Sequence, residues 1–91
     1  MTSLTDLTIC DNNIVDIGPL SRLTSLTELM LSHNNIVDIS PIAGLTSLRV
    51  LQLSCNPIVD ISLLVKLSIL TNLNVQWTHV TGNIVTNRLT D

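Results

Sequence analysis

The chain has 91 residues, of which 45% are apolar and 12% are charged, and its formal net charge is −3 at pH 7. This high apolar fraction with so little net charge excludes a disordered chain, and the excess of acidic over basic residues excludes a charge-based nucleic-acid surface. No apolar run approaches the roughly 20 residues that a membrane-spanning helix needs. We therefore expect one small folded domain with neither a nucleic-acid partner nor a membrane span.

The dominant feature of the sequence is an internal repeat of 22 residues. The chain aligns with itself without gaps in four blocks and a short tail, at 1–22, 23–44, 45–66, 67–88 and 89–91. The shared segment reads L-x-x-L-x-L-x-x-N-x-I, and its first leucines are Leu4, Leu26, Leu48 and Leu70. This pattern is the signature of a leucine-rich repeat, and its fourth copy is degenerate. We expect a single leucine-rich-repeat domain over 1–91.

Each block opens with a predicted strand and a turn. In the first block Leu7 and Ile9 alternate with Thr8 and Cys10, a period of two that buries one face of a strand. Equivalent strands of successive blocks would stack in parallel, roughly 4.8 Å apart, into one sheet. The asparagines that follow the strands are predicted to bind backbone groups inside the turns as a structural ladder, and they are Asn12, Asn34 and Asn56.

The return segment of each block begins with V-D-I. Asp16, Asp38 and Asp60 are predicted N-caps of a short 3₁₀ or helical turn, with Pro19 and Pro41 in its first turn. The predicted fold class is therefore α/β, a solenoid with a short parallel sheet on the concave face and 3₁₀ or short helical turns on the convex side. The valines before these aspartates are interpreted as half-covered extended residues or as a second contact surface, and they are Val15, Val37 and Val59.

The stretch N-N-I-V-D-I-S-P-I-A-G-L-T-S-L at 34–48 resembles the 22-residue repeats of the bacterial internalins. It is also similar to the leucine-rich regulatory subunits of eukaryotic protein phosphatase 1, and the resemblance extends from residue 1 to about residue 80. It implies a non-enzymatic module whose concave sheet binds a protein partner. The helical cap, the immunoglobulin-like module and the cell-wall sorting signal of internalins are missing, which indicates a fragment or an uncapped repeat block.

The fourth block departs from the repeat near its end. Thr78 replaces the ladder asparagine, and beyond Val80 the pattern is lost, with Gly82 in place of the aspartate and Asn83 in place of a core isoleucine. Residues 81–91 are interpreted either as a C-terminal cap or as a decayed repeat that frays. The alternative function is that of a structural repeat block, which self-associates end to end through its uncapped ends. Such a block would form a homo-oligomer.

Side chains between the buried leucines are predicted to face the partner. Trp77 is the first candidate, because aromatic side chains often anchor protein interfaces, and its alternative role is a lid over the last repeat. The predicted partner-contact residues are Trp77, Met30, Val50, His33, Glu28, Arg49, Gln52 and Asp11. The partner's identity is left open by the sequence.

Asp11, His33 and Cys55 fall at one position of adjacent blocks. An acid, an imidazole and a thiol in line resemble a cysteine nucleophile with its base, and Cys10, His33 and Cys55, with Asp11, are alternative metal ligands. The sequence offers no oxyanion hole, no deep pocket and no close ligand pair, so we predict no enzyme, no metal and no cofactor. Cys10 and Cys55 would lie roughly 9–10 Å apart, too far for a disulfide. The sequence shows no signal peptide or anchor and leaves the location open, and free thiols favour the cytoplasm.

Overall fold

Four short β-strands alternate with three 3₁₀ helices along residues 3–78, the part of the chain that the computed structural model describes. In chain order the elements are β1 (Asp6–Thr8), η1 (Gly18–Arg22), β2 (Glu28–Met30), η2 (Ser40–Ile42), β3 (Val50–Gln52), η3 (Ser62–Lys66) and β4 (Asn72–Asn74). Each repeat thus contributes one strand, and each of the first three contributes one return turn. The predicted cap or fraying tail over 81–91 lies outside the described residues.

The strands form one parallel sheet in the order β1-β2-β3-β4. Leu7 pairs with Leu29, Leu29 with Leu51, and Leu51 with Leu73, so equivalent residues of successive repeats lie side by side. Backbone hydrogen bonds between neighbouring repeats continue beyond the strand ends. The parallel sheet and its 22-residue register, both predicted from the repeat, are confirmed.

The hydrophobic core lies between the sheet and the 3₁₀ helices. In the second and third repeats the leucines and isoleucines of both sides are buried except for half-buried Leu63, and Leu29, Ile42 and Leu51 are completely buried. At equivalent positions of the first repeat, Leu7 and Leu20 are only partly buried against this core. Because a repeat is covered by the repeats on either side of it, the interior repeats contribute most of the hydrophobic stabilisation.

The return turns confirm the predicted prolines but correct the predicted caps. Pro19 and Pro41 lie in the first turn of η1 and η2. The N-cap residues are isoleucines without a capping side-chain bond, namely Ile17, Ile39 and Ile61, so the prediction that the aspartates are N-caps is wrong. Each aspartate lies one residue earlier and accepts the N–H two residues ahead, at 2.8 Å for Asp16 and 2.9 Å for Asp38 and Asp60. This Asx turn delays the helix start by one residue.

The Asp38 and Asp60 carboxylates should make folding stability depend on pH. Hydrogen bonds from the backbone N–H and the side chain of Ser40 lower the pKa of Asp38 from 3.8, and those of Ser62 lower the pKa of Asp60 in the same way. Because the folded pKa is the lower one, this stabilisation is complete above the unfolded pKa and is lost as the pH falls through the folded pKa.

We therefore expect an NMR titration of the carboxyl carbons to give a folded pKa below 3.8 for both residues. A double Asp38→Ala and Asp60→Ala variant should lose less of its stability than the wild type between about pH 5 and about pH 3. A folded pKa at or above the unfolded one, or an unchanged pH dependence in the double variant, would contradict this expectation.

Candidate functional site

The outward side chains of the sheet form two columns that follow the strand register, with one residue from each repeat. The first column contains Asp6, Glu28, Val50 and Asn72, and the second contains Thr8, Met30, Gln52 and Asn74. These two columns define the concave face. Its acidic side chains lie in the first two repeats, whereas the third and fourth repeats present neutral side chains. Four residues of the predicted contact set, Glu28, Met30, Val50 and Gln52, lie at its centre.

Side-chain hydrogen bonds join neighbouring repeats on and beside this face. Gln52 Nε2 donates to Asn72 Oδ1 at 3.4 Å, and Ser54 Oγ donates to Ser32 Oγ at 2.9 Å. Side chains that are already ordered lose less entropy when a partner binds. The predicted contact set omits Asn72, Ser32 and Ser54. The repeat register places Asn72 in line with Glu28 and Val50, which the set includes.

A shallow hollow of about 140 Å³ lies beside the first column, lined by Thr27, Glu28, Arg49, Val50 and Thr71. Glu28 and Arg49 bring opposite charges to it, and no ion pair joins them within residues 3–78. Ligand pockets that enclose a small molecule are usually about 300 Å³ or larger. The hollow therefore suits one side chain of a partner better than a separate small ligand.

The remaining column of predicted contact residues lies in a turn beyond the sheet. Asp11, His33, Cys55 and Trp77 all have left-handed backbone conformations, with φ of 61°, 60°, 61° and 64°. The left-handed turn ends the strand alternation from which this column was predicted, and Asp11, His33 and Trp77 are exposed in it. Trp77 is 81% exposed, so its indole does not pack over the core as a lid would.

The same turns hold the acid, the imidazole and the thiol that suggested a nucleophile or a metal site. His33 Nδ1 lies 4.0 Å from Asp11 Oδ1, and both side chains are exposed. Within residues 3–78 no hydrogen bond joins His33 to Cys55, and no three potential ligands come together around a common point. Cys10 and Cys55 are both free thiols and lie at different positions of their repeats. Within the described residues the approach of Asp11 to His33 is thus the one contact that either chemical interpretation gains.

The left-handed column consists of the four turn residues Asp11, His33, Cys55 and Trp77. We expect an unusual response to substitution at one of them, Cys55. A left-handed conformation costs a residue with a side chain about 1–2 kcal/mol, and glycine avoids this cost. We expect Cys55→Gly to keep or raise the free energy of unfolding in urea, by up to about 1 kcal/mol, and Cys55→Val to lower it by a similar amount. Cys10, which lacks a positive φ, is the control, and Cys10→Gly should bring no gain. Equal losses at both positions on substitution by glycine would contradict the assignment.

Asn34 connects the turns of the first and second repeats. Its Oδ1 accepts the N–H groups of Asn12 and Ile14, both at 3.0 Å. Its Nδ2 donates to the carbonyl oxygens of Ile9 at 2.8 Å and Leu31 at 2.9 Å. A further bond from Nδ2 reaches the carbonyl of Ser32 at 3.4 Å, so one buried amide satisfies five backbone groups, two donors and three acceptors.

Asn56 makes the equivalent connection between the second and third repeats. Its Oδ1 accepts the N–H of Ile36 at 3.1 Å, and its Nδ2 donates to the carbonyl of Leu31 at 2.9 Å. Asn12, by contrast, is exposed, and its side chain donates to the carbonyl of Cys10 at 2.6 Å within its own repeat. The amides of Asn34 and Asn56 thus fix the turns that carry the left-handed column.

This architecture defines a class of protein, a solenoid whose successive repeats align their strands in one parallel sheet. A family model for leucine-rich repeats, described as two copies, matches residues 2–44 and again residues 24–66. The chain belongs to the leucine-rich-repeat family, as its repeat signature predicted. Leucine-rich repeats of this type form protein-interaction scaffolds.

Solved structures of internalins from Listeria monocytogenes are similar to the described fold. Internalin C2 is 32% identical with a TM-score of 0.87, InlF is 37% identical with a TM-score of 0.80, and the functional domain of InlJ is 28% identical with a TM-score of 0.86. The three matches cover 89%, 87% and 93% of this chain, in the same order. This chain spans 36%, 23% and 18% of the length of the three internalin chains. The internalin-like solenoid is confirmed.

A comparison with curated protein sequences gave no match. Within residues 3–78 no helix has the length and apolar character needed to cross a membrane.

Proposed function

We propose that this domain binds a protein partner through the concave face and the adjoining left-handed column. The observation that carries the proposal is the exposure of Trp77 at one end of a sheet whose polar side chains already bond to one another. An exposed aromatic side chain beside an ordered polar surface is typical of the anchor and rim of a protein interface.

The remaining predicted contact residues would have complementary roles. Met30 and Val50 are half-buried and form the apolar centre, with Gln52 beside them. The charges lie around this centre, with Glu28 and Arg49 at the hollow and Asp11 with His33 in the turn. A partner would therefore need an apolar residue at its centre and charges of both signs around it.

The binding face can be tested by crosslinking from defined positions. The photo-crosslinker p-benzoylphenylalanine replaces Gln52 on the concave face or, as a matched control, exposed Ser62 at the start of η3. Each protein is irradiated in an extract of the cells that encode it. We expect a protein that crosslinks from position 52 and not from position 62. Equal crosslinking from both positions, or none from position 52, would argue against the concave face.

Once the partner is purified, Trp77→Ala should weaken its binding by about thirtyfold or more, the usual loss at an aromatic anchor. Isothermal titration calorimetry measures the affinity, and Thr24→Ala, an exposed position away from the strands, is the control. Because the indole is 81% exposed, the urea midpoint of Trp77→Ala should stay close to that of the wild type. Unchanged affinity for the partner would remove Trp77 from the interface.

A second candidate function is end-to-end self-association. It is favoured by the first repeat, where β1 is the outermost strand of the described sheet and Leu7 and Ile9 are only partly buried. Light scattering after size-exclusion chromatography, over about a hundredfold dilution with reductant, distinguishes the two functions. A 9.9 kDa monomer throughout would exclude self-association, and oligomers that dissociate on dilution would favour it.

A further inference from the structure

The large aliphatic side chains that the structure exposes within residues 3–78 lie outside the sheet. Val15, Val37 and Val59 are 63%, 53% and 57% exposed, and they occupy one position in three successive return segments. These three residues form the valine column. Val65 and Ile69 are also exposed and also lie outside the strands. The apolar surface of the return side is thus more open to solvent than that of the concave face, where Met30 and Val50 are half-buried.

The backbone that carries the valine column is fixed by bonds between repeats. The N–H of Asn35 donates to the carbonyl of Ile14 at 2.8 Å, which joins the return segments of the first two repeats. The N–H groups of Ile14 and Ile36, each next to a valine of the column, donate to the buried side chains of Asn34 and Asn56. A partner that binds the column would therefore meet a surface that needs little further ordering.

Three carboxylates accompany the valine column. Asp16, Asp38 and Asp60 directly follow its valines, and together they form the aspartate row. One carboxylate oxygen of each accepts a backbone N–H, and within residues 3–78 none of them forms an ion pair. Hydrogen bonds to Ser40 and Ser62 lower the pKa of Asp38 and Asp60, so both are ionised at neutral pH. The row is therefore a line of negative charge beside a line of apolar side chains.

We propose that the valine column and the aspartate row bind an extended segment of a partner protein in which aliphatic residues alternate with Lys or Arg. Successive side chains of an extended segment point in alternate directions, so its aliphatic residues can cover valines while its cations approach the carboxylates. A second copy of this chain is disfavoured, because its own aspartate row and its net charge of −3 would be repelled. An anionic membrane surface is disfavoured for the same reason. This surface is separate from the concave face and does not depend on the function proposed for it.

The test uses a fluorescein-labelled peptide of alternating Lys and Val, titrated with the whole chain and followed by fluorescence anisotropy at low ionic strength. The comparison peptides alternate Glu with Val or Lys with Ser. We expect the Lys–Val peptide to bind at least about tenfold more tightly than either, because only it supplies both complementary charge and apolar contact. Its affinity should also fall as salt is added.

Two triple variants separate the apolar and the charged parts of the surface. The valine variant combines Val15→Thr, Val37→Thr and Val59→Thr. These changes keep the side-chain shape but remove apolar contact, so they should weaken binding of the Lys–Val peptide by about tenfold. Asp16→Asn, Asp38→Asn and Asp60→Asn keep an acceptor oxygen for the Asx turns and should remove most of the salt dependence. The matched control is a Met30→Thr and Val50→Thr variant of the concave face, which should bind the peptide as the wild type does.

Circular dichroism melts verify that each variant folds, and if the valine triple variant does not, Val37→Thr alone should weaken binding by about twofold. Equal binding of the Glu–Val peptide, or unchanged binding by the valine variants, would overturn the proposal. It would also be overturned by dimers that the valine substitutions dissociate, since the occupant would then be a second copy. Valine-dependent sedimentation with anionic phospholipid vesicles would likewise replace the protein segment with a lipid surface.

Discussion

Replacing Asn56 with alanine is expected to lower the free energy of unfolding by about 3–5 kcal/mol. The side chain is 1% exposed, accepts the N–H of Ile36 and donates to the carbonyls of Leu31 and Leu53 at 2.9 and 3.1 Å. Alanine leaves these groups without that partner in the interior, and an unsatisfied buried polar group costs about 1–3 kcal/mol. The loss of stability comes from the backbone groups that remain without a hydrogen-bond partner. The lost packing of the asparagine side chain contributes little to it.

Asn12 is the matched control for this prediction, because the same residue type at the same repeat position is exposed and bonds within its own repeat. Asn12→Ala should cost less than about 1 kcal/mol. Urea unfolding followed by far-ultraviolet circular dichroism measures both variants. All titrations contain the same concentration of trimethylamine N-oxide, because the expected loss at Asn56 approaches the whole stability of a small domain. Equal losses at the two positions would mean that the buried amide does not support the turns.

Leu51→Ala is the second substitution with a large expected effect, a loss of about 2–5 kcal/mol. Leu51 is completely buried in β3, and in-register Leu29 and Leu73 lie on either side of it. Removal of its side chain leaves a cavity that rigid neighbours on two strands cannot fill, so the cost of the cavity adds to the lost hydrophobic transfer.

Leu7→Ala provides the comparison, because Leu7 is the equivalent residue of β1 and is only partly buried. It should cost less than about half of the loss at Leu51, as measured in the same urea titrations. The free energies of the two variants therefore report how far burial by neighbouring repeats, rather than residue type, determines stability. A larger loss at Leu7 than at Leu51 would contradict the observed position of the core.

The fold was predictable because chemistry and spacing agree in the strand segment of all four repeats. Leucines at a period of two require a strand, and a 22-residue copy of each strand requires a parallel neighbour in register, as Leu29 and Leu51 show. The start of the 3₁₀ helices was less predictable. An aspartate can bond an N–H either as an N-cap or in an Asx turn before the cap, and residue type alone does not separate these two roles at Asp38.

The candidate site was predictable only where the strand alternation continues. That alternation correctly placed Met30, Val50 and Gln52 on the outward side of the sheet. The alternation ends before the left-handed column, and the sequence does not signal this turn, because His33 and Trp77 share no conformational preference and glycine or asparagine is the usual signal for a positive φ. Side-chain bonds across the face depend on rotamers, which the sequence pattern does not determine.

The hydrogen bonds that the buried asparagines form between repeats all reach from one repeat to the repeat before it. Asn34 satisfies amides of the repeat before it, and Asn56 does the same one repeat later, so each turn is completed by its successor. Where Thr78 takes the ladder position, its hydroxyl donates to the carbonyl of Val75 in its own repeat. Protection against amide hydrogen exchange should therefore depend on the repeat that follows more than on the one that precedes. Opening that starts at the C-terminal side would deprive each turn in succession of its bonding partner, whereas opening from the other side would leave the following turns complete.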